Sequence, residues 1–338
     1  MWIVAGAATV VEVLSHPLCR VRPAEEPVPR ALIGGPLGEV YGRFARMNDG
    51  PAHAAHRNPV AAVLEPLEIA TVEIVAADCA HAVMSAPTWR PDGAGATQAA
   101  FEIPVRTMAA LLDIPVGMLR AATDATHAVV RALRPSASDA QRSAGHEAVR
   151  RLRSALTTTS ATELDAAAEG AAVGILVQTC DATAGLIGNT LLCLSRHPSA
   201  QRAVVSEPQS LLHIVNEVAR FDPPVQNTRR YLAEPASIGG VRMERGAVIL
   251  VLLAAANRDP AANPMPSTFD WTRQVSALFT FGVGAHACPG RLLAVTIAAS
   301  AVGMLLSAGV DVHRLAQAFA YQASINTRIP LFAPFGDC

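Results

Sequence analysis

From Leu292 to Val310 the chain runs for 19 residues without a charged side chain. That length is close to the ~20 apolar residues a membrane span requires. Thr296, Ser300, Gly303, Ser307 and Gly309 interrupt it, however, and a helix apolar on all sides is also the mark of a large domain's interior. We read it as a buried core helix and the protein as soluble. The fold then has to surround this helix completely. With 338 residues, 51% hydrophobic and 16% charged, the chain has material for that in one large domain.

The segment that feeds this helix is Phe281-Gly282-Val283-Gly284-Ala285-His286-Ala287-Cys288-Pro289-Gly290. It puts one cysteine in a glycine-rich loop just ahead of a helix N-terminus, where the helix dipole and backbone N–H groups favour a thiolate. Glycines allow close backbone approach and turns that a side chain would block. These are the requirements of a thiolate held against a flat metal cofactor. The alternative is a buried free cysteine in a turn.

At every defining position this decapeptide resembles the haem-binding loop of the cytochromes P450, Phe-x-x-Gly-x-(Arg/His)-x-Cys-x-Gly. The resemblance implies a haem b cofactor with Cys288 as proximal thiolate ligand, and Phe281, His286 and Gly290 as further contacts of the same loop. A thiolate ligand pushes electron density through the iron and favours O–O cleavage. The likeness extends along nearly the whole chain. Glu217-Val218-Ala219-Arg220 is similar to the family's Glu-x-x-Arg pair, whose i, i+3 spacing allows a bidentate ion pair on one helix face. Arg220 lies 68 residues before Cys288, and Asp222-Pro223-Pro224-Val225-Gln226, Ala255-Ala256-Asn257-Arg258-Asp259-Pro260 and Ser324 to Pro330 are also similar to bacterial members. Haem propionates need cations or N–H donors, since two unpaired buried carboxylates are costly. His53 and Arg57 resemble the family's His-x-x-x-Arg segment, and Arg229 joins His286 as a further propionate donor. Their neighbours His56 and Arg230 are taken as ordinary residues.

The chain departs from the family pattern in three places. The family's distal helix usually carries an acid followed by a threonine, which manage proton delivery. Here Gln178-Thr179-Cys180-Asp181-Ala182-Thr183 has the acid as Asp181 but alanine where threonine is usual. Thr183 is turned ~100° away on a helix, so Gln178 or Thr179 is the expected substitute, with Asp181 as relay. Thr268 replaces the arginine of the family's Pro-x-Arg-Phe segment, so either Arg273 completes the Glu217/Arg220 network or a pair remains. Trp2-Ile3-Val4 is similar to a strand that members reach only after an extra helix and strand, which implies an abbreviated N-terminus.

The implied fold is mainly α with a minor β part, a single cytochrome P450-like domain over 1–338 with haem between a distal long helix and the cysteine-loop helix. The pattern of breakers predicts helices over Thr9–Leu14 (with Thr9 as N-cap), Leu112–Leu156 with breaks at Pro115 and Pro135, Glu163–Ser195 and Pro208–Arg220. Pro17 to Pro36 is expected as loop, and Tyr231–Leu253 as short strands. Val225 to Asn227, residues 323–325 and residues 19–47 are expected to line the pocket.

The implied activity is that of a monooxygenase inserting one atom of O₂ into a small organic, secondary-metabolite substrate. Electrons would come from a separate ferredoxin or reductase, because the chain has no flavin or nicotinamide fingerprint and no Fe–S cysteine cluster. Ala182 motivates an alternative: a peroxygenase, isomerase or coupling catalyst. A non-catalytic haem-binding protein is the other alternative, motivated by Thr268 and the short start. Net charge is −1, so no nucleic-acid partner is implied. Six scattered cysteines without zinc spacing, and an N-terminus lacking a positive n-region, suit a reducing cytoplasm with no membrane attachment.

Overall fold

The computed structural model describes residues 1–23, 25–157, 165–274 and 276–335. One helix organises them. Ala166–Arg196 begins at Asp165, whose carboxylate accepts from Ala167 N at 2.9 Å and Ala168 N at 2.7 Å, and ends at His197-Pro198. Such a cap satisfies N–H groups that have no partner inside the helix. The expected start at Glu163 lies outside the described residues. The first half of this helix is buried against Pro36–Gly42, Leu119–Ala132 and Asp139–Thr157, with the middle of Gly93–Leu111. Its second half is buried against Gly93–Leu111, Ser210–Phe221 and Arg291–Ser307.

Arg291–Ser307 takes in most of the charge-free run anticipated from sequence, starting one residue earlier on Arg291, and Thr296, Ala298, Ala301, Val302 and Leu305 on it have lost all or nearly all solvent contact. Both helices long and apolar enough to cross a membrane are thus engaged in the protein's own core.

The β part is small. Trp2–Val4, Val248–Val251, Thr228–Leu232 and Cys19–Arg20 form one sheet in that order, the first pair parallel and the others antiparallel. Two hairpins, Ala236–Ile238 with Val241–Met243 and Phe319–Tyr321 with Pro330–Phe332, complete it among the described residues. Register sets Arg230 opposite Ile249 and Arg20 opposite Tyr231, and Arg229 and Arg230 border the same cavity as the cysteine loop.

Some expected boundaries move, for physical reasons. The first helix is Ala7–Ser15 with Gly6 at its N-cap; the capping carboxylate belongs to Asp259, which accepts from Ala7 N at 2.7 Å, and Thr9 plays no such part. The expected loop from Pro17 to Pro36 contains the strand Cys19–Arg20 and a 3₁₀ turn at Arg30–Leu32. Leu112 opens a break instead of a helix, since Asp113 takes φ +59° and Pro115 follows; helix resumes at Leu119.

Glu217 and Arg220 pair bidentately at 2.6 and 2.8 Å inside the core. Arg220 also donates to the backbone oxygens of Asn257, Pro266 and Thr268. Arg273 Nε lies 3.7 Å from Glu217, so it does join the network in place of the residue Thr268 replaces.

Candidate functional site

The cysteine loop owes its shape to two glycines. Gly282 and Gly284 both take φ +69°, a region where L side chains are strained, and a Cβ on Gly282 would lie 3.1 Å from His286 O. The turn closes with Cys288 N donating to Phe281 O at 2.7 Å. Asn257 anchors the approach from below: its Oδ1 accepts from Phe279 N at 2.7 Å, and its Nδ2 donates to Thr280 Oγ1 at 2.7 Å and Ala219 O at 3.3 Å. Asn257 thereby ties the Glu217–Arg220 helix to the cysteine loop.

Cys288 faces a cavity of about 550 Å³. Across it stands the long helix, contributing Ile175, Gln178, Thr179, Ala182, Thr183 and Leu186, one helical face with a spacing of four. Phe281, Gly282, Pro289 and Gly290 form the near wall. The Cys288 side chain is reachable from the cavity yet enclosed by protein, and burial pushes its thiol above the ordinary range. The Gly290 N–H, Arg57 and Arg291 act against that shift without reversing it. The dipole argument for a free thiolate is therefore outweighed by desolvation of the thiol. A coordinating metal deprotonates a thiol outright, which removes the conflict.

One edge of the cavity is cationic. His53, on helix Gly50–Leu64, is buried with its ring 4.3 Å from that of His286, and burial followed by His286 and Arg57 lowers its pKa. Arg57, one turn on, borders the same cavity. His286 Nε2 lies 3.3 Å from Asp49 Oδ1, which sequence reasoning did not foresee. Burial alone would raise Asp49, but hydrogen bonding from His286 and from Val21 N holds its carboxyl below the usual value.

The arginine assignment needs correction. Strand Thr228–Leu232 alternates, leaving Arg229 exposed and Arg230 buried at 5% exposure. Both border the cavity, but Arg230 donates only to Thr228 Oγ1 and Arg229 O, and its buried Nε has no partner. An orphaned buried guanidinium donor is costly, so Arg230, passed over in the sequence, is better placed than Arg229 to meet a buried anion. Its strand phase was the signal that could have found it.

The distal expectations divide. Gln178 and Thr179 do border the cavity, although Gln178 Nε2 is spent on Gly174 O at 2.9 Å, leaving its oxygen free. Asp181 is not among the lining residues; it turns to Arg134 at 3.5 Å, both side chains partly exposed. Thr183, discounted for its angle, is buried and reaches the same cavity beside Ala182. The helix face is wide enough here to present neighbours in sequence. Val225, Asn227, Ile325 and several residues between Val21 and Met47 also line the space as expected.

A thiol, a helix face mixing aliphatic with amide and hydroxyl side chains, and cationic donors that include an unpaired buried Arg230 Nε border one cavity and fit a flat, metal-bearing dianion. The comparisons agree. The sequence signature of the family described as Cytochrome P450 matches residues 165–308. The putative cytochrome P450 133B2 of Xylella fastidiosa (strain 9a5c) is 28% identical over 80% of this chain and 74% of its own. The 6-deoxyerythronolide B hydroxylase of Saccharopolyspora erythraea is 38% identical over 36% of this chain and 30% of its own. Among solved structures, P450BioI in complex with an acyl carrier protein bearing hexadec-9Z-enoic acid superposes with a TM-score of 0.80 at 20% identity, covering 97% of this chain and 90% of that one.

Proposed function

This chain belongs to the cytochrome P450 family, and from that premise we propose that it is a haem b monooxygenase of a small, largely apolar organic molecule, with Cys288 as the iron's protein ligand. The observation that carries the reading is the Cys288 thiol set across one cavity from the Gln178–Leu186 helix face, with cations along a single edge. His53, Arg57, His286 and Arg230 would receive the propionates, with Arg229 at the cavity rim; Phe281 and Gly290 would pack beside the ring. When bound, the haem supplies thiolate-assisted activation of O₂.

The chain's own residues then have three tasks. The aliphatic walls hold the substrate and exclude water. Asn257 and the loop glycines fix the thiol's position. Proton delivery falls to the long helix: Asp181, held by Arg134 at the edge of the site, takes protons from solvent, and the free oxygen of Gln178 or the hydroxyl of Thr179 or Thr183 passes them inward. A hydroxyl of the substrate is a further candidate. Electrons come from a separate ferredoxin or reductase, and the setting is cytoplasmic. We treat the chain as one domain. Ala182 favours a second reading, a peroxygenase or a non-oxidative catalyst on the same fold, because such a reaction does not need the missing hydroxyl.

The ferrous–CO spectrum tests the central claim. Wild type is expected to give the strongly red-shifted thiolate band and Cys288→Ser to lose it; a wild-type complex without that band sinks the reading. Turnover with reductant and O₂, set against turnover with peroxide alone, separates the monooxygenase from the peroxygenase.

A further inference from the structure

Arg46 is a cation in this cavity that none of these roles uses. It sits in the 3₁₀ turn Ala45–Met47, which is fixed on both flanks. Phe44, 1% exposed, packs so closely on the long helix that a Cβ at Gly174 would lie 3.1 Å from its ring. Asn48 Nδ2 donates to Gly42 O at 2.8 Å and Phe44 O at 2.9 Å, and Tyr41 OH donates to Met47 Sδ at 3.3 Å. A turn tied down this way fixes the point from which the Arg46 side chain leaves the backbone.

Arg46 borders the cavity and has no hydrogen bond or ion pair among the described residues. It is exposed to the cavity's solvent, although the protein around it still makes desolvation the main influence lowering its pKa, opposed by Tyr41 and Asp181. The neighbouring charges are already committed. Asp181 is held by Arg134 at 3.5 Å. Arg22 donates to Glu26 O from Nε and Nη2 and pairs with the Glu26 carboxylate at 3.8 Å. The same cavity is also lined by apolar side chains, among them Val21, Leu133, Ile175, Val225 and Ile325.

A guanidinium fork in such a place matches one chemistry, a planar carboxylate taken up bidentately. The Arg46 guanidinium is exposed to the cavity, and no hydrogen bond or ion pair among the described residues takes up its donors. We propose that Arg46 anchors the substrate and that the substrate is an apolar molecule bearing a carboxylate, oriented by that group with its hydrocarbon part toward Cys288. This rests on the haem-thiolate reading and deepens it.

The test uses the haem-loaded protein and matched pairs of probes: dodecanoate with methyl dodecanoate, and 4-phenylbutyrate with its methyl ester. Binding is read twice, from the haem spin-state change and from equilibrium dialysis of labelled probe. Wild type is expected to prefer at least one carboxylate over its ester by about tenfold or more, the range of a charge-assisted hydrogen bond. Arg46→Ala should abolish that preference while leaving ester affinity unchanged, and Arg46→Lys should keep part of it. Absence of any carboxylate preference in wild type, or its survival in Arg46→Ala, overturns the proposal. So does haem loss in Arg46→Ala, which would place Arg46 among the propionate ligands. A thiolate CO band without carboxylate preference refutes only this proposal; a missing band refutes the parent reading.

Discussion

At the scale of single residues, Arg229 and Arg230 show what a motif can and cannot specify. Two adjacent arginines on a strand face opposite ways, so a shift of one position exchanges a buried donor for an exposed one. Arg230→Ala is expected to weaken haem retention strongly and Arg229→Ala only slightly. The loss of one member of a buried charge pair costs about 3–5 kcal/mol, against roughly 0–1 kcal/mol for an exposed one. Haem transfer to an apo-acceptor protein measures this, and equal rates for the two variants would refute the correction. Asp181 illustrates a different limit. Its place in the helix was legible, but its turn away from the cavity toward Arg134 depended on a residue 47 positions earlier. Because that pair is partly exposed, Asp181→Asn should change stability little. It should nonetheless slow reductant-driven turnover by roughly 10²-fold or more if it feeds the proton path, with peroxide-driven turnover much less affected. Wild-type rates with reductant would remove Asp181 from the mechanism.

At the scale of elements, the sequence was most readable where punctuation is local. The long helix, the Ser210–Phe221 helix and the Arg291–Ser307 helix all stop at prolines, glycine or a change of polarity, and their expected ends lie within a few residues of the observed ones. Helices Ile69–Met84 and Gly93–Leu111 were missed. The second contains Pro104 and six alanines, and only its capping Asp92, accepting from Gly95 N at 2.8 Å, announces it. Long-range caps are equally hidden: nothing near Ala7 reveals that Asp259 closes its helix. Asn257 is the element-scale counterpart at the site, since its three hydrogen bonds join two helices' worth of backbone to the cysteine loop. Asn257→Ala leaves buried partners unmet, at about 1–3 kcal/mol each. We expect a lower melting temperature together with faster haem loss, because the loop it steadies carries Cys288. A variant that is destabilised but keeps haem normally would show that Asn257 supports the fold alone.

At the scale of the whole molecule, buried and half-buried histidines link stability to pH. His53, His56, His127 and His197 all have pKa values held below the ordinary 6.5, in each case first by burial. His127 joins two helices, its Nε2 3.3 Å from Phe101 O and its ring edge-on to Phe101, while His197 stacks on Phe269 at 4.4 Å where the long helix ends. A depressed histidine pKa means that the unfolded chain binds protons which the folded chain refuses. Stability is therefore full above the unfolded value near 6.5 and declines as pH falls from there toward the folded values. Asp222 also departs from its ordinary value, its carboxyl raised by burial against the pull of Arg328. Thermal melts taken from about pH 7.5 to about pH 5.5 should show a falling melting temperature, in the region where histidine alone among unperturbed side chains changes charge. His127→Gln should flatten that slope, since the amide can still meet Phe101 O and takes up no proton. A slope unchanged by His127→Gln would assign the acid sensitivity to the remaining histidines, and a flat wild-type profile would contradict the burial that the fold imposes on all four.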